Sequence, residues 1–222
     1  MEKPRNTVVN TAGITVAVAN GPGRAHAARG GGMRRELMRK SFHMSSMALP
    51  LFAWIAPRAV GLAVLVPLAV IAVVVDSVRL RFRGPRYVFL RATRTMLRVH
   101  ERRGFAGATY MAVAYATALL AFPQPIAVAG MLYNALGDAA AALVGKRWGR
   151  HRTSWGKSWE GYAAGMATSM AVGFAVPGIP PAAAVIGAVA ASTLEFLPLP
   201  LDDNLRVTLG GALACWLAAT LL

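Results

Sequence analysis

The strongest constraint on this chain is a recurring one. Stretches of about 17 to 20 apolar residues follow one another from Ser41 to Leu222, each the length a helix needs to cross the hydrocarbon core of a bilayer. Seven such segments can be marked, at 41–57, 59–78, 104–122, 124–145, 159–176, 181–197 and 205–222. Inside a bilayer every backbone N–H and C=O must be paired within the chain, which for segments of this length means helices. The expected fold class is therefore an all-α integral membrane protein of about seven transmembrane helices. The composition agrees. The chain is 56% hydrophobic and 15% charged, where soluble domains carry roughly a quarter charged residues. A soluble globular enzyme fits poorly, and so does disorder over most of the length. Pro57, Pro123, Pro125, Pro177, Pro180, Pro181, Pro198 and Pro200 punctuate the segment boundaries. Several segments are rich in Ala and Gly, which points to close packing through small faces.

The charges then set an orientation. There are 24 Lys and Arg against 9 Asp and Glu. In a soluble protein that balance would suggest nucleic acid, but here the placement argues for topology. With the N-terminus in the cytoplasm, one side receives the first 40 residues and the loops 79–103 and 146–158, which hold eight, nine and five basic residues. The loop 198–204 and Arg206 fall on that side as well, and Arg58 alone falls opposite. The positive-inside rule puts the basic loops in the cytoplasm, and no nucleic-acid partner is expected. Residues 79–103 carry Arg79, Arg83, Arg86, Arg94 and Arg98 with Tyr87, Phe89, Leu90 and Leu97 between them. They read as an amphipathic helix on the anionic leaflet, among the membrane lipids. Residues 1–32 form a basic, Gly-containing arm expected to be disordered, and Met33 is an alternative start for the domain 33–222.

The acidic residues are few, and Glu36, Asp76, Asp138, Glu160, Glu195, Asp202 and Asp203 all fall at or near the cytoplasmic ends of apolar segments in this topology. Ionisable groups at membrane depth are costly and tend to be functional. Asp76 and Arg79, three apart, suit a plain ion pair, whereas Glu195 has no basic neighbour in sequence. Four groups of residues carry chemistry. Arg39, Lys40 and His43 share a helix face at the head of the first segment. Gly130, Asn134 and Asp138 recur every four residues ahead of Lys146, so that an amide and a carboxylate precede a basic loop. One or two carboxylates of that kind, with phosphate oxygens, suffice to hold Mg²⁺. Gly156-Lys157-Ser158 looks like the end of a P-loop, but His151 stands where the first Gly is needed and no strand precedes it. What remains is a turn at a helix start, where free N–H groups and a Lys favour phosphate. Asp202, Asp203 and Asn204 open the last segment, where one capping residue would suffice.

In this order the four groups resemble the CTP-dependent lipid kinase family of dolichol kinase, phytol kinase and yeast-type diacylglycerol kinase. The likeness rests on Arg39, Lys40 and His43, on Gly137, Asp138, Ala139, Ala141, Gly145 and Lys146, on Gly156, Lys157, Ser158, Glu160 and Gly161, and on Glu195 followed by Asp202 to Leu205. The resemblance implies transfer of the γ-phosphoryl group of CTP to the hydroxyl of a lipid alcohol (phytol, a polyprenol or dolichol, or diacylglycerol) with Mg²⁺ or another divalent cation. It implies Asp138, Asp203 and His43 as catalytic groups and Asp138, Asp202 and Asp203 at the metal. Arg39, Lys40, Asn134, Lys146, Lys157, Ser158, Glu160 and Asn204 are implied around the nucleotide. Two other readings stand beside it: a phosphatidate cytidylyltransferase-like enzyme making CDP-lipid, and a lipid or ion transporter. The first lacks its Gly-His-Gly-Gly signature here. The second predicts acids along a path through the bilayer, not gathered at one side.

Overall fold

The computed structural model describes residues 46–93, 97 and 100–222. The arm 1–32, the alternative start Met33 and the Arg39, Lys40 and His43 group lie outside the described residues. Among the described residues the regular elements are all helices, with α1 (Ala48–Ile55), α2 (Arg58–Arg81), α3 (Arg83–Thr93), a 3₁₀ turn at His100–Arg102, and α4 (Gly107–Ala121). Next come α5 (Gln124–Leu132), a π-helical turn at Tyr133–Gly137 that runs on into α6 (Asp138–Arg147), then α7 (Trp159–Ala175), α8 (Pro181–Phe196) and α9 (Asp203–Leu221). Three continuous helical stretches are long and apolar enough to cross a membrane: Arg58–Arg81, Gln124–Arg147 and Asp203–Leu221. Gly107–Ala121 and Pro181–Phe196 are shorter apolar helices.

The helix boundaries follow from local chemistry. Pro57, Pro123 and Pro180 stand immediately before α2, α5 and α8, positions where a missing N–H costs nothing. At the sparsely charged end of the bundle, carbonyls left over at helix C-termini are met by side chains from elsewhere. Arg58 donates to Leu119 O at 2.9 Å and Leu120 O at 3.1 Å, and Gln124 Nε2 donates to Ala53 O at 2.7 Å and Ala56 O at 2.8 Å. The one basic residue placed opposite the others in sequence thus closes α4.

Small residues bring the helices together. A Cβ on Gly130 would lie 2.6 Å from Thr208 O, and one on Gly187 would lie 2.7 Å from Cys215 Cβ, so α5 and α8 each approach α9 almost backbone to backbone. Tyr115, Leu119, Val128, Met131 and Tyr133 fill the interior, and the sole cysteine, Cys215, is buried with them. By contrast Val60, Val64, Ile71 and Val75 of α2 are exposed, an apolar stripe suited to lipid tails.

Two expectations are corrected here. Residues 79–103 are not one amphipathic helix. α2 carries through to Arg81, Phe82 is extended, and a separate α3 without a single buried residue begins at Arg83, just ahead of Gly84 and Pro85. Arg79 is therefore not interfacial but buried at 1% exposure. Its Nε pairs with Asp76, its Nη2 donates to Gly104 O at 2.9 Å, and its guanidinium lies 4.4 Å from the Phe89 ring centroid. Asp76 in turn accepts from the Ala106 N–H and the Thr109 hydroxyl, each at 2.7 Å. The plain ion pair read from their spacing is present, as the knot that fastens α2 to the start of α4. The second correction concerns Gly130, Asn134 and Asp138. The π turn widens the helix between Tyr133 and Gly137, so the four-residue spacing no longer keeps these side chains on one face.

Candidate active site

The π turn sends Asn134 and Asp138 to different company. Asn134 is buried, and its Nδ2 donates to Asn204 Oδ1 at 3.1 Å. Asp138 lines a cavity of about 230 Å³ between α6, α7, the end of α8 and the start of α9. Lys146, Lys157, Ser158 and Asp203 line the same cavity, together with Glu195, Arg152 and Tyr162. Residues separated by up to 65 positions in sequence are thus gathered at one end of the bundle, the end that carries the basic loop 146–158.

That loop is a short hairpin. Arg152 and Ser158 pair across it, Thr153 N–H donates to Lys157 O at 2.8 Å, and Gly156 N–H donates to Thr153 O at 3.0 Å. Gly156 takes φ +89°, a conformation open to glycine and strained for other residues. The hairpin is tied down by what it does for α8. Lys157 Nζ donates to the Glu195 carbonyl and, at 2.5 Å, to its Oε1, while Trp155 Nε1 donates to Phe196 O at 3.0 Å. From the other side Arg206 Nη1 donates to Leu197 O at 2.8 Å. Three consecutive carbonyls at the end of α8 are therefore met by three side chains from two other elements. The rings of Trp155, Trp159 and Tyr162 pack around Phe196.

This geometry sorts the residues singled out from sequence. Ser158 is the N-cap of α7 and accepts from Gly161 N–H at 3.1 Å. Of the free N–H groups anticipated at the Gly-Lys-Ser turn, two are occupied, since Trp159 N–H donates to His151 O at 3.0 Å and Gly161 N–H to the Ser158 hydroxyl. Glu160 does not line the cavity; its Oε1 lies 2.7 Å from His151 Nδ1 and accepts the His151 backbone N–H at 3.1 Å. Asp202 does not line it either. Its Oδ1 accepts from the backbone N–H and Nδ2 of Asn204, both at 2.9 Å, as the N-cap of α9. Asn204 Nδ2 also donates to Gly107 O at 3.2 Å, so Asn134, Asn204 and Asp202 form a positioning knot behind Asp203. Asp203 itself pairs with Arg206. Arg152 is the residue that sequence reasoning missed. Its Nη2 donates to Gly145 O at 2.9 Å and its Nη1 to Gly156 O at 3.3 Å. It pairs with no carboxylate among the described residues, and its exposed guanidinium lines the cavity. Nothing in the sequence separates it from the neighbouring Arg147 and Arg150.

A divalent cation can be tested against these donors. Among the described residues no group of three or more His, Cys, Asp and Glu side chains is arranged as a metal site. A complete protein cage for a metal is thus absent from the described residues. Asp138 and Asp203 nevertheless line one cavity with Lys146 and Arg152, and one or two carboxylates plus phosphate oxygens are what Mg²⁺ ordinarily takes. The donor set fits a metal that takes its remaining ligands from a bound phosphate.

The fold and the cavity define a helical protein with membrane-length apolar helices and a mixed-charge site at one end. No family model matches the chain, and no solved structure does. A phytol kinase from Synechocystis sp. is 41% identical over 102 residues, a match that takes in 40% of this chain and 43% of that protein. The aligned part thus spans less than half the length of the curated relative. The match supports the resemblance to the CTP-dependent lipid kinases and, at family level, a lipid kinase.

Proposed function

We propose that this chain is a multi-pass membrane lipid kinase that moves the γ-phosphoryl group of CTP to the hydroxyl of a lipid alcohol at the cytoplasmic face. The single observation that carries this reading is the cavity in which two carboxylates, Asp138 and Asp203, meet Lys146, Arg152 and Lys157. Phosphoryl transfer asks a protein for positioning and charge neutralisation, with little covalent work. Lys146 and Arg152 hold the phosphates, and Asp138 and Asp203 are the residues that would hold Mg²⁺, which would supply charge neutralisation for the transferring phosphoryl group. Arg39 and Lys40 are assigned to the phosphates, and His43 to the acceptor hydroxyl, by the family resemblance. The acceptor oxygen attacks the γ-phosphorus, the new O–P bond forms and the bond to the bridging oxygen breaks. CDP leaves with that electron pair, and a cavity carboxylate takes the hydroxyl proton. The seven apolar segments and the one-sided basic loops support a seven-span topology with the N-terminus and the site in the cytoplasm.

The test uses full-length protein in lipid nanodiscs with γ-radiolabelled CTP, Mg²⁺ and phytol, geranylgeraniol, a polyprenol or diacylglycerol. Label is expected in the lipid, and Asp138→Asn is expected to lower turnover by at least about a hundredfold. Formation of CDP-lipid from phosphatidic acid in place of labelled lipid would move the chain to the cytidylyltransferases. No product in either assay would favour a transporter.

A further inference from the structure

Adjoining the cavity is a second, much smaller recess of about 10 Å³ between the π turn, α6, α7 and α8, which is about the room of one water molecule or one hydroxyl oxygen. It shares Asp138, Ala141, Tyr162 and Glu195 with the cavity, so the two spaces adjoin across the carboxylates. Ser192 lines the recess. Its residue exposure is 6%, and its Oγ has no hydrogen-bond partner among the described residues. Hydroxyls in helices ordinarily bond back to a carbonyl of the preceding turn, as Thr93 does to Phe89 O and Thr220 to Trp216 O. Ser192 does not. A buried hydroxyl without a partner carries a cost, and where the equally orphaned Thr208 lines neither space, Ser192 lines the recess. Ser192 stands three residues before Glu195 on α8, so the orphaned hydroxyl and the carboxylate share a helix face.

We propose that this recess seats the hydroxyl of the acceptor, with Ser192 Oγ as its hydrogen-bond partner, and that it selects lipid alcohols ending in an unbranched primary CH₂OH. The proposal rests on the lipid-kinase reading and adds the acceptor subsite to it. Its walls are closely packed. A Cβ on Gly137 would lie 2.6 Å from Ser169 Oγ, and one on Gly165 would lie 3.0 Å from Ala141 Cβ. One oxygen fits; a second substituent on the carbinol carbon meets those walls. An oxygen seated there lies beside Asp138 and Glu195. Glu195 takes its proton as the new O–P bond forms, while the bond from the γ-phosphorus to the bridging oxygen breaks and the nucleoside diphosphate leaves with the electron pair.

The experiment compares wild type, Ser192→Ala and Ser192→Val in nanodiscs, with phytol and a secondary alcohol of equal carbon count as acceptors. Ser192→Ala is expected to raise KM for phytol about five- to tenfold, to leave KM for CTP within about twofold, and to keep or raise Tm, because an orphaned hydroxyl is removed. Ser192→Val is expected to fill the recess and stop phytol turnover while CTP still binds. If that variant does not fold, Ser192→Ala and the primary-to-secondary preference of wild type decide. An unchanged phytol KM with a raised Tm in Ser192→Ala would show a mere packing orphan and overturn the subsite. Equal turnover of the two alcohols by wild type would overturn the selectivity. A wild-type enzyme that phosphorylates no alcohol at all would overturn the parent reading, and this proposal with it.

Discussion

Lys157 illustrates what a residue can and cannot disclose from sequence. Its type and its Gly-Lys-Ser setting point to phosphate, yet its ammonium closes the end of α8 and pairs with Glu195, 38 positions away. Removing one member of such a pair leaves the other charge without compensation. Lys157→Met is therefore expected to lower Tm in nanodiscs, and the double variant Lys157→Met/Glu195→Gln to recover part of the loss. If the double variant is no more stable than the single one, the pairing contributes nothing. Arg152 gives the complementary prediction. A guanidinium that lines the cavity and is held there by two carbonyls is expected to grip phosphate, so Arg152→Gln should raise KM for CTP about tenfold or more. The measurement is steady-state kinetics at saturating acceptor, with Tm recorded to separate binding from folding. Asp138, Lys146, Lys157, Ser158 and Asp203 were legible because charged or polar groups at the ends of apolar segments are conspicuous. Arg152 was not, since a loop arginine looks the same whether it faces solvent or a cavity. Glu160 and Asp202 carried the right chemistry in the wrong place, because N-capping and loop pairing leave no mark in the one-dimensional pattern.

At the scale of elements, the working part is the seam between α6 and α7. Gly137, Ala141 and Gly145 on one side face Gly161, Gly165 and Ser169 on the other. Every fourth position is small, so the two backbones approach closely. A Cβ on Gly161 would lie 2.6 Å from Ala141 O, a backbone atom that cannot rotate aside. Gly161→Ala is expected to destabilise the protein by about 1–3 kcal/mol through overpacking, visible as a fall in Tm. Gly156→Ala, at φ +89° with no atom within 4 Å of the added Cβ, should disturb the hairpin through backbone strain alone. The helices themselves were legible, because apolar runs bounded by proline and charge are strong signals. The π turn was not. An extra residue in a helical turn has no composition of its own, and its effect here is to part Asn134 from Asp138, which regular spacing would have kept together.

For the whole molecule, the gathering of the site at one end makes orientation testable. The sole cysteine, Cys215, is buried, so engineered cysteines report against a quiet background. Ser154→Cys is expected to react with a membrane-impermeant maleimide only from the cytoplasmic side, and Pro177→Cys, in the exposed turn between α7 and α8, only from the opposite side. Labelling of both from one side would break the proposed topology. Nucleotide and metal should also act together: chelation of Mg²⁺ is expected to abolish transfer and to weaken CTP binding, both restored by adding the cation back. One further consequence follows from the triple closure of α8. The ammonium that holds the hairpin to that helix end is the same one that neutralises Glu195, so a phosphate that recruits Lys157 leaves the carboxylate bare. In the proposed kinase, arrival of the donor and exposure of a proton acceptor would then be a single event, and an empty site would keep its base masked by the same contact that shapes the pocket.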